Sequence, residues 1–143
     1  MPISKAEPLA REISPTIAGG RPLEGVRIVV VADDLIQGDG MTTYLEKAGA
    51  IVLGPAGSIK EARKLVDGSS VGAVILDSYL GEKPAMKFVR RLNKNRVPFL
   101  FVTGEPCDGV QPGVGHVECV EKPYTEHALV NAAARVLGER AEA

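Results

Sequence analysis

Apolar residues along the chain alternate between two patterns. Short β-branched runs of buried-strand type are followed by stretches with apolar residues at helical spacing. Val26 to Ala32 is the first run, and Met41, Tyr44, Leu45 and Ala48 then recur as one helix face. Ile51 to Leu53 predicts a second strand ending at Gly54-Pro55. Ser58 and Glu61 stand at capping-box spacing before a helix with Ala62, Leu65 and Val66 on one face. Val71 to Leu76 forms a third run ending at Asp77, and Ala85, Phe88, Val89 and Leu92 mark a third helix.

The second half is less regular. Pro98 to Val102 predicts a fourth strand and Val117 to Val120 a fifth. Between them Gly104, Pro106, Gly109, Pro112, Gly113 and Gly115 are too many breakers for a helix, so that crossover is expected to be a loop or one ragged turn. Thr125 is placed to cap a last helix with Leu129, Ala132, Ala133 and Val136 as its stripe, with Gly138 as the expected stop. Gly38 and Gly40 weaken the start of the first helix by about 1 kcal/mol each relative to Ala, which fits a loosened edge or a later start. Strand and helix in alternation predict an α/β fold: a doubly wound, five-stranded parallel sheet with helices on both faces and a degraded fourth helix.

Length and composition narrow the picture. The chain has 143 residues, room for one domain. Proline and glycine punctuate residues 1–24 without a sustained period, so these read as an N-terminal tail, with the domain at 25–138 and a short C-terminal tail at 139–143. Hydrophobic residues are 45% and charged residues 24%, which excludes disordered, collagenous and disulfide-scaffold classes. Lys+Arg 17 against Asp+Glu 18 leaves no basic excess for direct nucleic-acid or membrane binding. No apolar run approaches the roughly 18 residues of a membrane helix, and charges interrupt any signal-like N-terminus. Cys107 and Cys119, not spaced as CxxC, fit a reducing compartment, so a cytoplasmic location is expected.

Candidate chemistry falls where doubly wound sheets put ligands, at the carboxyl ends of the strands. Asp33 and Asp34 follow the first strand, Asp77 the third, Thr103 the fourth and Glu121-Lys122-Pro123 the fifth. These residue types suit phosphoryl transfer to a carboxylate. Asp33 and Asp77 would offer oxygen ligands to Mg2+, Asp77 would attack phosphorus, and Lys122 and Thr103 would contact the transferred oxygens. His116 and His127 lack neighbours at zinc spacing and are assigned no chemistry.

Four motifs in this order carry a resemblance. They are Val29-Val30-Val31-Ala32-Asp33-Asp34, Val74-Ile75-Leu76-Asp77-Ser78-Tyr79-Leu80-Gly81, Phe101-Val102-Thr103-Gly104 and Glu121-Lys122-Pro123-Tyr124. The sequence from Gly25 to Gly138 resembles a CheY-like response-regulator receiver domain. Pro98 to Gly104 also looks like the Phe-Ala-Thr-Gly variant of single-domain receivers called the FAT GUY group, although Glu105-Pro106 stand where that group has an aromatic residue.

The resemblance implies a signalling acceptor rather than an enzyme. It implies a stand-alone receiver in a two-component phosphorelay, phosphorylated on Asp77 by a histidine kinase or phosphotransfer protein with Mg2+ and read by a downstream protein. It also exposes two departures. Asp33 aligns with the second of the family's paired acids, so Ala32 occupies the place of the first and Asp34 is left as a substitute metal ligand. Cys119 stands where the family has an aromatic switch residue. Both departures favour the alternative, a pseudo-receiver that works through protein contacts without phosphorylation. A flavodoxin is disfavoured because acids replace the phosphate loop after the first strand. A haloacid-dehalogenase-like phosphatase is disfavoured because no Asp stands two residues after Asp77.

Overall fold

A computed structural model describes residues 21–77, 83–104, 106, 110–111 and 115–142. Its elements run β1 (Arg27–Val31), α1 (Leu35–Lys47), β2 (Ile51–Ala56), α2 (Ile59–Gly68), β3 (Ala73–Asp77), α3 (Lys83–Lys94), β4 (Phe99–Thr103), β5 (Val110–Gln111), β6 (Gly115–His116), β7 (Cys119–Glu121) and α4 (Glu126–Glu142). The main sheet has five parallel strands in the order β2-β1-β3-β4-β7. This is the doubly wound architecture that the alternation of patterns predicts.

Side-chain alternation divides the core into two layers. Ile28, Val30, Ala73, Ile75, Leu100 and Val102 pack with α1 and α4, whereas Val29, Val31, Val74, Leu76, Phe99 and Phe101 pack with α2 and α3. Strands buried on both faces must be apolar at every position, which is why the runs in β1, β3 and β4 are continuous. The stripe of α3 is buried as its spacing requires, at Ala85, Phe88, Val89 and Leu92. Leu23 is fully buried in the α1 and α4 layer, and its amide donates to Ala48 O at 2.8 Å, so packing begins before Gly25.

Several boundaries differ from the sequence reading, each for a local reason. α1 begins at Leu35, before both glycines, because Asp34 caps it by accepting from Ile36 N at 3.0 Å and Gln37 N at 3.3 Å. Gly38 is inside the helix because nothing larger fits there. A Cβ at that position would lie 2.9 Å from Pro55 Cγ and 3.4 Å from Ala32 Cβ. β2 runs on through Gly54, whose φ of 101° suits glycine, to pair Ala56 with Val31 across an irregular register. α4 continues past Gly138 to Glu142, since one exposed glycine costs a helix only about 1 kcal/mol.

The fourth crossover contains two short antiparallel strands, β5 and β6, which pair Val110 with His116 and Gln111 with Gly115. Among the described residues of this crossover there is no helix, and this strand pair stands where a loop was expected. No helix among the described residues is long and apolar enough to cross a membrane.

Candidate functional site

Asp77 ends β3 and Thr103 ends β4, and both are 3% exposed. They are the buried polar side chains of an otherwise apolar sheet interior. A buried carboxylate needs a partner, because desolvation without one is costly. One partner is Lys122, whose Nζ lies 2.6 Å from Asp77 Oδ1. The sheet itself brings them together: Thr103 pairs with Glu121, and Lys122 N donates to Thr103 O at 2.8 Å, which extends the ladder one residue past β7. Asp77 pairs with Val102, so Thr103 stands one residue beyond it on the neighbouring strand. The three residues that strand-end reasoning singled out thus meet at one edge.

By alternation from Ala73 and Ile75, Asp77 belongs to the face covered by α1 and α4. Lys122 Nζ accordingly also donates to Gln37 Oε1 on α1. Gln37 Nε2 in turn donates to Asp34 Oδ2 at 3.2 Å. The result is a polar chain from Asp34 through Gln37 and Lys122 to Asp77. Gln37 went unnoticed in the sequence, although it stands three residues after Asp34, the spacing of a capping box.

Tyr124 is a second residue that the motifs did not single out for chemistry. Its ring meets Tyr44 edge to face at 6.3 Å between centroids. Burial, then the negative charge of Asp77, then Tyr44 push its hydroxyl from 10.0 up to about 12. With Gln37, Gly40, Tyr44, Lys122 and Pro123 it lines an open groove of about 290 Å³ beside the Lys122 ammonium.

The metal-binding half is built differently. Ala32 is fully buried in the apolar layer under α1. Asp34 is engaged as the cap of α1 and as the acceptor for Gln37, and Asp33 is exposed. Among the described residues, no group of three or more His, Cys, Asp or Glu gathers as a metal-holding cluster. Asp33, Asp34 and Asp77 do not form such a cluster among the described residues. The physical reason is that Asp34 is spent on the helix start and Lys122 already faces Asp77. A Mg2+ at this edge would be held by at most one or two of these carboxylates, completed by water and phosphate oxygens.

Cys119 is disulfide-bonded. The chain's other cysteine, Cys107, lies outside the described residues, as do Ser78, Tyr79 and Glu105. A disulfide removes the argument that the cysteine count favours a reducing compartment. Exposed His127 shares a 2.9 Å hydrogen bond with Asn131.

No protein-family model matches the sequence, and no curated protein matches it. Solved structures do match the fold. Chemotaxis response regulator CheY4 of Vibrio cholerae is 20% identical with a TM-score of 0.67, covering 78% of this chain and 98% of its own. A response-regulator receiver domain protein from Clostridium thermocellum is 22% identical with a TM-score of 0.68, covering 82% and 98%. The anti-anti-sigma factor PhyR from Bartonella quintana is 19% identical with a TM-score of 0.69, covering 83% of this chain and 51% of its own. The fold is that of CheY-like response-regulator receiver domains. These matches do not separate out the FAT GUY subgroup.

Proposed function

We propose that the chain is a receiver-type signalling module of a two-component phosphorelay, with Asp77 as the phosphoryl acceptor. The observation that carries this reading is the buried Asp77, held 2.6 Å from Lys122 at the carboxyl edge of a receiver fold. An Asp77 oxygen would attack phosphorus as the bond to the donor's phosphohistidine nitrogen breaks, and the histidine would leave with a proton from solvent. Lys122 offsets charge on the transferred oxygens, and the Thr103 hydroxyl donates to one of them. The donor is then a histidine kinase or phosphotransfer protein, and the output is a change in which downstream protein binds. A cytoplasmic location belongs to the same proposal although the Cys119 disulfide weighs against it, and thiol counting on protein taken from cells without reductant decides: free thiols support the location and a disulfide opposes it.

A second reading is favoured by the metal half. Ala32 packed under α1 and Asp34 committed as a cap suit a pseudo-receiver that acts by contact alone. One of the matched structures is an anti-anti-sigma factor, which keeps that reading in view. Intact-mass measurement after incubation with a cognate kinase or a small phosphodonor separates the two. A phosphoryl adduct on the native chain that is lost in Asp77→Asn is the expected result. An adduct retained in Asp77→Asn moves the acceptor elsewhere, and a folded native chain that takes up nothing from either donor supports the pseudo-receiver.

A further inference from the structure

The helical layers on the two sides of the sheet carry opposite charge. α2 and α3 hold eight Lys or Arg and two acids, whereas α1 and α4 hold three Lys or Arg and five acids. The near-neutral total hides this division. Both acids of the basic layer are engaged. Glu61 Oε1 accepts from Gly57 N at 2.7 Å, and Asp67 lies 3.3 Å from Arg91. Among the described residues no acid pairs with Arg63 or Lys87.

The spacing of the charges is unfavourable for the isolated helices. Lys83, Lys87 and Arg91 follow one another at i, i+4 on α3, and Lys60 and Lys64 do so on α2. Like charges at that spacing repel, and a one-sign surface destabilises the compact state. A face that keeps this repulsion becomes favourable when an acidic partner covers it.

Between α2 and α3 lies a groove of about 200 Å³ lined by Ile59, Arg63, Pro84, Lys87, Phe88 and Arg91. Its cations surround an apolar floor. Apolar floor with charged rim is the anatomy of a groove that seats a hydrophobic anchor and orients the rest by charge. We propose that this groove docks an acidic protein segment that inserts an apolar side chain against Ile59 and Pro84 and sets its carboxylates on Arg63, Lys87 and Arg91. A nucleic acid fits less well. Phe88 is 3% exposed and offers no ring for a base to stack on, and the acidic α1 and α4 layer repels a long polyanion. The surface lies on the side of the sheet away from the Asp77, Lys122 and Gln37 contacts, so the proposal stands whether or not Asp77 is phosphorylated.

The test is fluorescence anisotropy of the full chain at physiological salt with three probes: an acidic amphipathic peptide with leucine anchors, the same peptide with serine for leucine, and a duplex oligonucleotide of equal net charge. The leucine peptide is expected to bind, to weaken about tenfold or more for Arg63→Glu with Lys87→Glu, and to be unchanged for Lys47→Glu on α1. The serine peptide and the oligonucleotide are expected to bind more weakly than the leucine peptide. The variants replace exposed side chains, and the peptide series needs no mutation of the protein at all. The proposal is overturned by no binding of the leucine peptide, by equal binding to the double variant, by equal binding of the serine peptide, or by tighter binding of the oligonucleotide.

Discussion

Along one edge of the sheet, the ends of β3, β4 and β7 differ sharply from the end of β1. At the first, a carboxylate and a hydroxyl are buried at 3% exposure, with an ammonium bonded to the carboxylate at 2.6 Å. At the second, a fully buried alanine lies under a helix whose first turn is tied down by Asp34. A buried charge pair is weak evidence of stability, since well-packed apolar side chains of similar volume often do as well or better. The β1 end shows that such packing was available on the same edge. The contrast therefore sets a buried, charge-paired strand end beside an apolar, packed one on the same edge.

Four tests probe this contrast. Ala32→Asp should destabilise the fold most, by about 3 kcal/mol or more in urea unfolding, because it places a carboxylate in an apolar layer. Should it instead prove neutral, the end of β1 has room for the acid and the packing argument fails. Lys122→Ala should cost about 3 kcal/mol by leaving the Asp77 carboxylate buried without this partner, whereas Lys47→Ala, which removes an exposed pair with Glu126, should cost under about 1 kcal/mol. Equal effects would mean that Asp77 is not held by its charge partner.

The two glycines of α1 give the next comparison. Gly38→Ala should destabilise by about 1 kcal/mol or more because its Cβ meets the Pro55 ring, and Gly40→Ala, with nothing within 4 Å, should stabilise by up to about 1 kcal/mol. Thermal unfolding of the two variants reads both signs. The smallest effect concerns Tyr124. Its folded pKa of about 12 lies above the 10.0 of a free tyrosine, so its contribution to stability is complete below pH 10 and is lost as pH rises through about 12. Tyrosinate absorbance should show a late-titrating component, and Tyr124→Phe should remove it.

Legibility in the sequence followed burial and spacing. β1, β3 and β4 were readable because strands buried on both faces show unbroken apolar runs, and α3 because its stripe is complete. The start of α1 was not, because two glycines outweighed the Asp34 to Gln37 capping spacing that marks it. β7 begins two residues later than the apolar run at Val117, since Val117 packs as part of the core without joining the ladder. β5 and β6 escaped because two-residue strands have no period to read. Within the site, Asp77, Thr103 and Lys122 were legible as polar residues ending apolar runs. Gln37 was not, because its role depends on a helix crossing that brings residues 85 positions apart into contact. The capping role of Asp34 was hidden for a related reason, since the glycines obscured the start of the helix it caps.

The most direct test of the contrast between the two ends is a Mg2+ titration of the native chain followed by the backbone amide resonances of Asp33, Asp34, Asp77 and Thr103. A built acceptor end and a packed metal end predict no common saturable shift across these residues, with the Asp77 environment governed by Lys122 and altered in Lys122→Ala. A single saturable transition shared by Asp33 and Asp77 would contradict the account, because it would show that the carboxylates assemble around the ion despite Ala32 and the Asp34 cap.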